Sequence, residues 1–259
     1  MQVLSRPWGQ MHYQSQGAAD LPCVVFANSL GTDLRLWDAL LPLLPAGFRF
    51  LRYDKRGHGL SDVAPLNDVS DLACDVLALI EAEARGPVIF VGLSIGGLIG
   101  QCLAAKRPEL IRGLVISNSA ARLGTAESWQ SRIDAINAGG LASIADAVMQ
   151  RWFGPDFLAK PELALWRNML LSTPEQGYIQ ACRALGTADQ TEATRQLRLP
   201  TLLISGSADG ACPPEVTRAT ADLIAGSQFH LLPDLGHLPC VENPAAFAAT
   251  LTPFLEAHR

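Results

Sequence analysis

A chain of 259 residues with 49% hydrophobic side chains is long enough to bury a continuous core, and α/β chains of this length commonly form one domain. Its net charge of −5, with no run of basic residues, argues against a nucleic-acid surface and points to small-molecule substrates. No apolar stretch approaches a membrane span, and residues 1–8 lack the charged start and apolar core of a signal peptide, so the reading is a cytoplasmic protein with no membrane partner.

Residues 3–5 and 10–15 read as two short strands joined at Pro7-Trp8-Gly9, an antiparallel start to a sheet. Residues 21–27 form a continuous apolar strand of the kind found in the middle of a parallel sheet. Helical periodicity is predicted over 34–44 and a further strand over 48–53. The dense stretch Tyr53-Asp54-Lys55-Arg56-Gly57-His58-Gly59-Leu60-Ser61 lacks a phosphate-binding G-x-x-x-x-G-K. It reads as a buried polar turn of Asp54, Arg56, His58 and Ser61. An amphipathic helix follows over 68–84, with Leu72, Val76, Leu79 and Ile80 on its apolar face. A strand over 87–91, a helix over 95–107 ended by Pro108, and a strand over 111–117 continue an alternation that predicts a parallel sheet with helices on both faces.

That alternation stops after Asn118. Residues 121–197 are helical in character, broken at Gly139-Gly140, Gly154-Pro155, Thr173-Pro174 and Gly186, and four short helices are predicted. The domain reading is therefore a core of residues 1–120 and 198–259, with 121–197 inserted as a helical cap over the carboxyl ends of the strands, where ligands bind in open α/β sheets. Strands over 199–206 and 228–232 complete the core, the first followed by a loop carrying Asp209 and the second by a loop carrying His237.

The chemistry starts at Gly92-Leu93-Ser94-Ile95-Gly96, a G-x-S-x-G sequence at a strand-to-helix turn, where flanking glycines let the backbone hold a serine proud of the strand end. A serine hydroxyl is a poor nucleophile at neutral pH and needs a base and a group to orient it. His237 and Asp209, each on a loop after its own strand, supply both in the order Ser, Asp, His. Asp234 is the competing acid and reads as a turn former; His58 is the competing base and is placed in the structural turn. Acyl transfer also needs donors aimed at the developing oxyanion. These are assigned to the backbone N–H of Ile95 and of Leu30, the latter in the loop Asn28-Ser29-Leu30-Gly31-Thr32-Asp33, with Asn28 bracing that loop. The six cysteines show no C-x-x-C spacing and read as free thiols, only Cys212 and Cys240 falling near the acid and base. The five histidines show no H-x-x-x-H spacing, so no metal or other cofactor is implied.

With these residues in place, the chain resembles the α/β-hydrolase superfamily over essentially its full length, and within it the 3-oxoadipate enol-lactonases. The nearer resemblance rests on Asn28 to Asp33 with Trp37, Tyr53 to Gly59, Gly92 to Gly97 and Gly236 to Pro244. Asn28-Ser29, where related hydrolases usually carry His-Gly, is its most discriminating part; Lys55 stands where many relatives carry Thr or Arg, a departure that touches no catalytic role. The resemblance implies an α/β-hydrolase fold with a mostly parallel eight-stranded sheet. It also implies hydrolysis of a β-ketoadipate enol-lactone to 3-oxoadipate in aromatic catabolism. The lactone carries an acetate arm, and a carboxylate held under a cap needs a cation or several donors. Arg132 near Trp129 is the preferred partner, Arg151 beside Trp152 the second; Arg122, Arg167 and Arg183 read as solvated helix faces. The same triad also fits a general carboxylesterase, a perhydrolase or a carbon–carbon bond hydrolase, and the fold alone fits a non-catalytic ligand-binding protein. Its completeness favours the enzyme.

Overall fold

In the computed structural model, which describes residues 1–259, the chain opens with a hairpin of β1 (Gln2–Arg6) and β2 (Gly9–Gln16). The register pairs Arg6 with Gly9 across the two-residue turn Pro7-Trp8, which is pinned from outside by Trp8 Nε1 donating to Asp75 Oδ1 at 2.6 Å. β3 (Cys23–Ala27) and β4 (Arg49–Tyr53) are buried along their whole lengths. β3 is apolar throughout, whereas β4 must pair its two arginines: Arg49 with Ser15 and Glu83, Arg52 with Gln14 and Asp38. Then come α1 (Val69–Glu83), β5 (Val88–Leu93), α2 (Ile95–Lys106) and β6 (Ile111–Ser117). A helical insert follows: α3 (Ala126–Gly139), α4 (Ala142–Trp152), α5 (Pro155–Leu158), α6 (Leu163–Leu171), α7 (Glu175–Thr187) and α8 (Thr191–Arg195). β7 (Thr201–Gly206), α9 (Pro214–Ala221), β8 (Gln228–Leu232), α10 (Pro239–Glu242) and α11 (Pro244–Ala257) close the chain.

The eight strands form one sheet in the order β1-β2-β4-β3-β5-β6-β7-β8. β1 and β2 are antiparallel to their neighbours, and β4 through β8 are parallel. Adjacent residues of β6 show that helices cover both faces, because successive side chains in a strand point to opposite sides. Leu114 packs against Gly100 of α2, while the neighbouring Gly113 lies under Phe254 of α11. The loops after β3, β5, β7 and β8 leave the same end of the parallel strands. That end gathers Leu30, Ser94, Asp209 and His237. No helix is long and apolar enough to cross a membrane.

Two local expectations are corrected. Residues 34–44 form two short 3₁₀ turns, Leu34–Trp37 and Leu41–Leu43, rather than a helix. Pro42 offers no N–H to an α-helical ladder, and the apolar spacing of Leu34, Leu36, Trp37 and Leu41 reflects burial of an irregular segment. Trp37 lies 4.9 Å from Phe26 and 6.5 Å from Phe247, ring centre to ring centre. The insert contains six helical segments rather than four, because 159–162 adds a break around Pro161 and a short helix, α8, follows α7. Gly186 does not break α7; it admits the Trp129 side chain, whose Cβ would lie 3.5 Å from an added methyl.

The polar turn after β4 is buried. Arg56 holds Asp75 through two hydrogen bonds of 2.8 and 2.9 Å, and Asp54 accepts from the N–H groups of Leu34 and Leu60 and lies 2.8 Å from His12 Nδ1. His58 is fully enclosed and outside the cavity that holds Ser94. Burial and the nearby Lys55 ammonium hold its imidazole far below the ordinary histidine range.

Candidate active site

Ser94 joins β5 to α2 with φ 58° and ψ −121°, a conformation that side-chain-bearing residues rarely adopt. The surrounding sequence permits it. A Cβ at Gly92 would stand 2.2 Å from Gly96 O, and one at Gly96 would stand 2.1 Å from Ala27 O, so neither glycine can carry a side chain without moving backbone. The end of β6 holds the serine in place: Ser94 N donates to Ser117 O at 2.9 Å, and Ser94 O accepts from Ser119 Oγ at 2.6 Å.

His237 Nδ1 lies 2.8 Å from Asp209 Oδ2, and both side chains are buried. Asp209 is itself fixed on three sides. Oδ1 accepts from Ala211 N at 2.7 Å and Cys212 N at 2.9 Å, and Oδ2 also accepts from Asn118 Nδ2 at 2.9 Å. These donors fix the carboxylate with Oδ2 turned to the imidazole, so that Nδ1 is the ring's donor and Nε2 is left to accept a proton. Ser94 Oγ and His237 face one cavity without a hydrogen bond between them, a spacing that such sites commonly close only around substrate.

Ile95 is the first residue of α2, so its N–H has no acceptor within the helix. Leu30 N–H donates to no protein acceptor, and Ser29 and Leu30 line the same cavity as Ser94 and His237. Asn28 braces their loop by donating to Thr32 O at 2.7 Å. The cavity encloses about 110 Å³, and the helical insert supplies most of its remaining wall, including Trp129, Arg132, Arg151, Trp152 and Tyr178. Neither arginine has a carboxylate partner. Arg132 packs 5.1 Å from the centre of the Trp129 ring and donates to Tyr178 Oη at 3.3 Å. Arg151 donates to Gly210 O at 3.1 Å, and burial, together with the like charge of Arg132, lowers its pKa below the ordinary arginine value.

Three residues of this site escaped the sequence reading. Asn118, with φ 49°, closes the back of the Asp209 carboxylate and also donates to Gly236 O at 3.1 Å. Its signal was its place after a strand end in a conformation asparagine tolerates. Tyr178 lies on α7; its phenol is buried and pushed up to about 12. Glu242 accepts from Gly154 N at 2.8 Å and Gly236 N at 2.7 Å, tying the insert to the loop of His237, and burial pushes its carboxyl up to about 7. Cys212 and Cys240, near the acid and base in sequence, are buried thiols; burial pushes Cys212 up to about 12 and Cys240 higher still, so neither is a thiolate at neutral pH.

A strained serine at a strand-to-helix turn, a histidine held by an aspartate, and a parallel sheet with a helical insert between β6 and β7 are all present in one chain. The chain belongs to the alpha/beta hydrolase family, whose model matches residues 24–250. It is 33% identical over 257 residues to 3-oxoadipate enol-lactonase 1 of Acinetobacter baylyi, covering 98% of this chain and 96% of that protein. Among solved structures, the enol-lactonase from Burkholderia xenovorans superposes with a TM-score of 0.94 at 35% identity, covering 98% of this chain and 100% of that one. A hydrolase from Pseudomonas aeruginosa superposes with a TM-score of 0.93 at 36% identity, covering 98% and 97%.

Proposed function

We propose that this chain is a serine hydrolase that opens the lactone ring of 3-oxoadipate enol-lactone to give 3-oxoadipate, a step of the β-ketoadipate route of aromatic breakdown. The observation that carries this reading is the pair of arginines, Arg132 and Arg151, that face the cavity of Ser94 without a carboxylate of their own. Half-buried Arg132 and exposed Arg151 set two like charges along one cavity wall, an arrangement that an anionic ligand stabilises. The lactone's acetate arm is such an anion, and relatives named as enol-lactonases add support.

In this mechanism Ser94 Oγ attacks the lactone carbonyl while His237 Nε2 takes its proton, and Asp209 stabilises the imidazolium through Nδ1. The N–H groups of Ile95 and Leu30 receive the oxyanion. Collapse of the tetrahedral intermediate breaks the ring C–O bond, and His237 returns the proton to the departing enol oxygen. The acyl chain stays on Ser94 until a water, deprotonated by His237, attacks its carbonyl; the second tetrahedral intermediate expels Ser94 Oγ, which takes the proton back from His237, and the carboxylate leaves. The freed enol then takes its keto form. These residues carry every step without calling on a metal or cofactor.

Arg132→Ala is expected to raise KM for the enol-lactone by about 30-fold or more, since truncating one partner of a buried charge pair costs about 2 to 5 kcal/mol. A neutral aryl ester lacks the acetate arm and should change by less than about threefold, a surface-level effect. An unchanged ratio of kcat/KM between the two substrates, in Arg132→Ala and Arg151→Ala alike, would reject the anionic lactone in favour of a neutral ester.

A further inference from the structure

Lys55 is a buried cation with no ion-pair partner, set behind the loop that carries Leu30. Its residue exposure is 2%. Nζ donates to Ser29 O at 2.6 Å and to Thr32 O at 3.3 Å, both main-chain acceptors. Ser29 O is unusually well supplied: it also accepts from Thr32 Oγ1 at 2.9 Å and Thr32 N at 3.3 Å. That carbonyl belongs to the peptide whose nitrogen is Leu30 N. In a trans peptide, C=O and N–H point in opposite directions. Three donors therefore crowd one side of the Ser29–Leu30 peptide, while its N–H points the other way and is unclaimed by any protein acceptor.

Hydrogen bonds accepted by a peptide oxygen draw electron density from the nitrogen and make the N–H a stronger donor, and a charged donor does this most. We propose that Lys55 is a positioning residue that polarises the Ser29–Leu30 peptide and orients it, so that Leu30 N–H binds the oxyanion more tightly in the transition state than a neutral residue behind the loop would allow. This rests on the serine-hydrolase reading given above. It also gives the lysine a reason to be there, since burial works against its charge and pulls the ammonium down to about 7 despite the nearby carboxylates of Asp54 and Asp33. Asp33 is taken up by Arg35, Asp54 by His12 and two backbone N–H groups, and His58, the other titratable neighbour, is held neutral. The ammonium is thus present below about pH 7 and lost above it. Turnover should therefore fall on the alkaline side as Lys55 loses its proton.

The test compares the full-length wild type with Lys55→Met and Thr32→Val on the enol-lactone and on p-nitrophenyl acetate, with melting curves to verify folding. Lys55→Met, an uncharged side chain of similar length, should lower kcat by about 10- to 100-fold with KM changed less than about threefold, a weaker version of the 10²–10³ lost with an oxyanion donor. Its alkaline limb should disappear. Thr32→Val removes one donor to Ser29 O and should lower kcat by about threefold with the limb intact, in line with one neutral hydrogen bond. A folded Lys55→Met with wild-type kcat, or with its loss confined to KM, or with the alkaline limb retained, overturns the proposal. Should Lys55→Met fail to fold, wild-type kcat in Thr32→Val overturns it. Activity retained by Ser94→Ala would instead overturn the parent reading, which separates the two failures.

Discussion

Ser94→Ala is expected to lower kcat by about 10⁶-fold, the scale seen when the nucleophile of a serine hydrolase is removed, while the protein remains folded. The hydroxyl is buried but lines the cavity, and its loss breaks no hydrogen bond that holds the turn, because both anchoring contacts use the serine backbone. The same residue carries a second expectation in a different observable. Its φ of 58° is a strained conformation, so Ser94→Gly should melt above Ser94→Ala, relief of about 1 to 3 kcal/mol of strain outweighing the entropy of glycine. Steady-state kinetics on the enol-lactone and a melting series check the two separately. Turnover retained by the alanine variant would place the chemistry elsewhere.

Asp209→Asn is expected to cost about 10⁴ in kcat. The reason lies in the donors around the carboxylate. With Oδ1 engaged by Ala211 and Cys212 N–H, an asparagine would keep its oxygen there and turn its amide toward His237 Nδ1 and Asn118 Nδ2. A donor facing Nδ1 forces the imidazole into the tautomer that carries its proton on Nε2, where it can no longer accept one from Ser94. Asp234, the other acid near the histidine in sequence, is exposed and has φ 61°, a turn position; Asp234→Asn should change kcat by less than about twofold, as surface changes generally do. Equal losses from the two variants, measured on the same substrate, would reverse the assignment of the acid.

What could be read from the sequence was what local physics determines. The turn at Ser94 is encoded within five residues by two glycines that nothing larger can replace; Asp209 follows the fully buried strand β7, and His237 follows the short edge strand β8, of which only Leu232 is buried. The loop of Leu30 was legible for the same reason. Residues 34–44 misled because apolar spacing reports burial, and burial under the Phe26 and Phe247 rings does not require a helix. Asn118, Tyr178 and Glu242 were missed because their roles come from distant partners: Asp209 for the first, Arg132 for the second, and Gly154 for the third. Lys55 looked like a neutral departure from its relatives. Only the fold shows that its side chain ends on the carbonyl of Ser29.

The main chain around Trp152 bears on how such enzymes can be recombined. Trp152 O accepts from His237 N at 2.7 Å, and two residues later Gly154 N donates to Glu242. A helical insert so stitched to the histidine loop is not a detachable module. Exchanging it wholesale with that of a relative, to import a new specificity, would also disturb an acceptor that holds His237 in place. Chimaeras that keep residues 151–154 with the parent sheet and trade only α3, α6 and α7 would leave that support intact while replacing the cavity walls that Arg132 and Tyr178 now supply. The interchangeable unit in this architecture is therefore smaller than the insertion its sequence outlines.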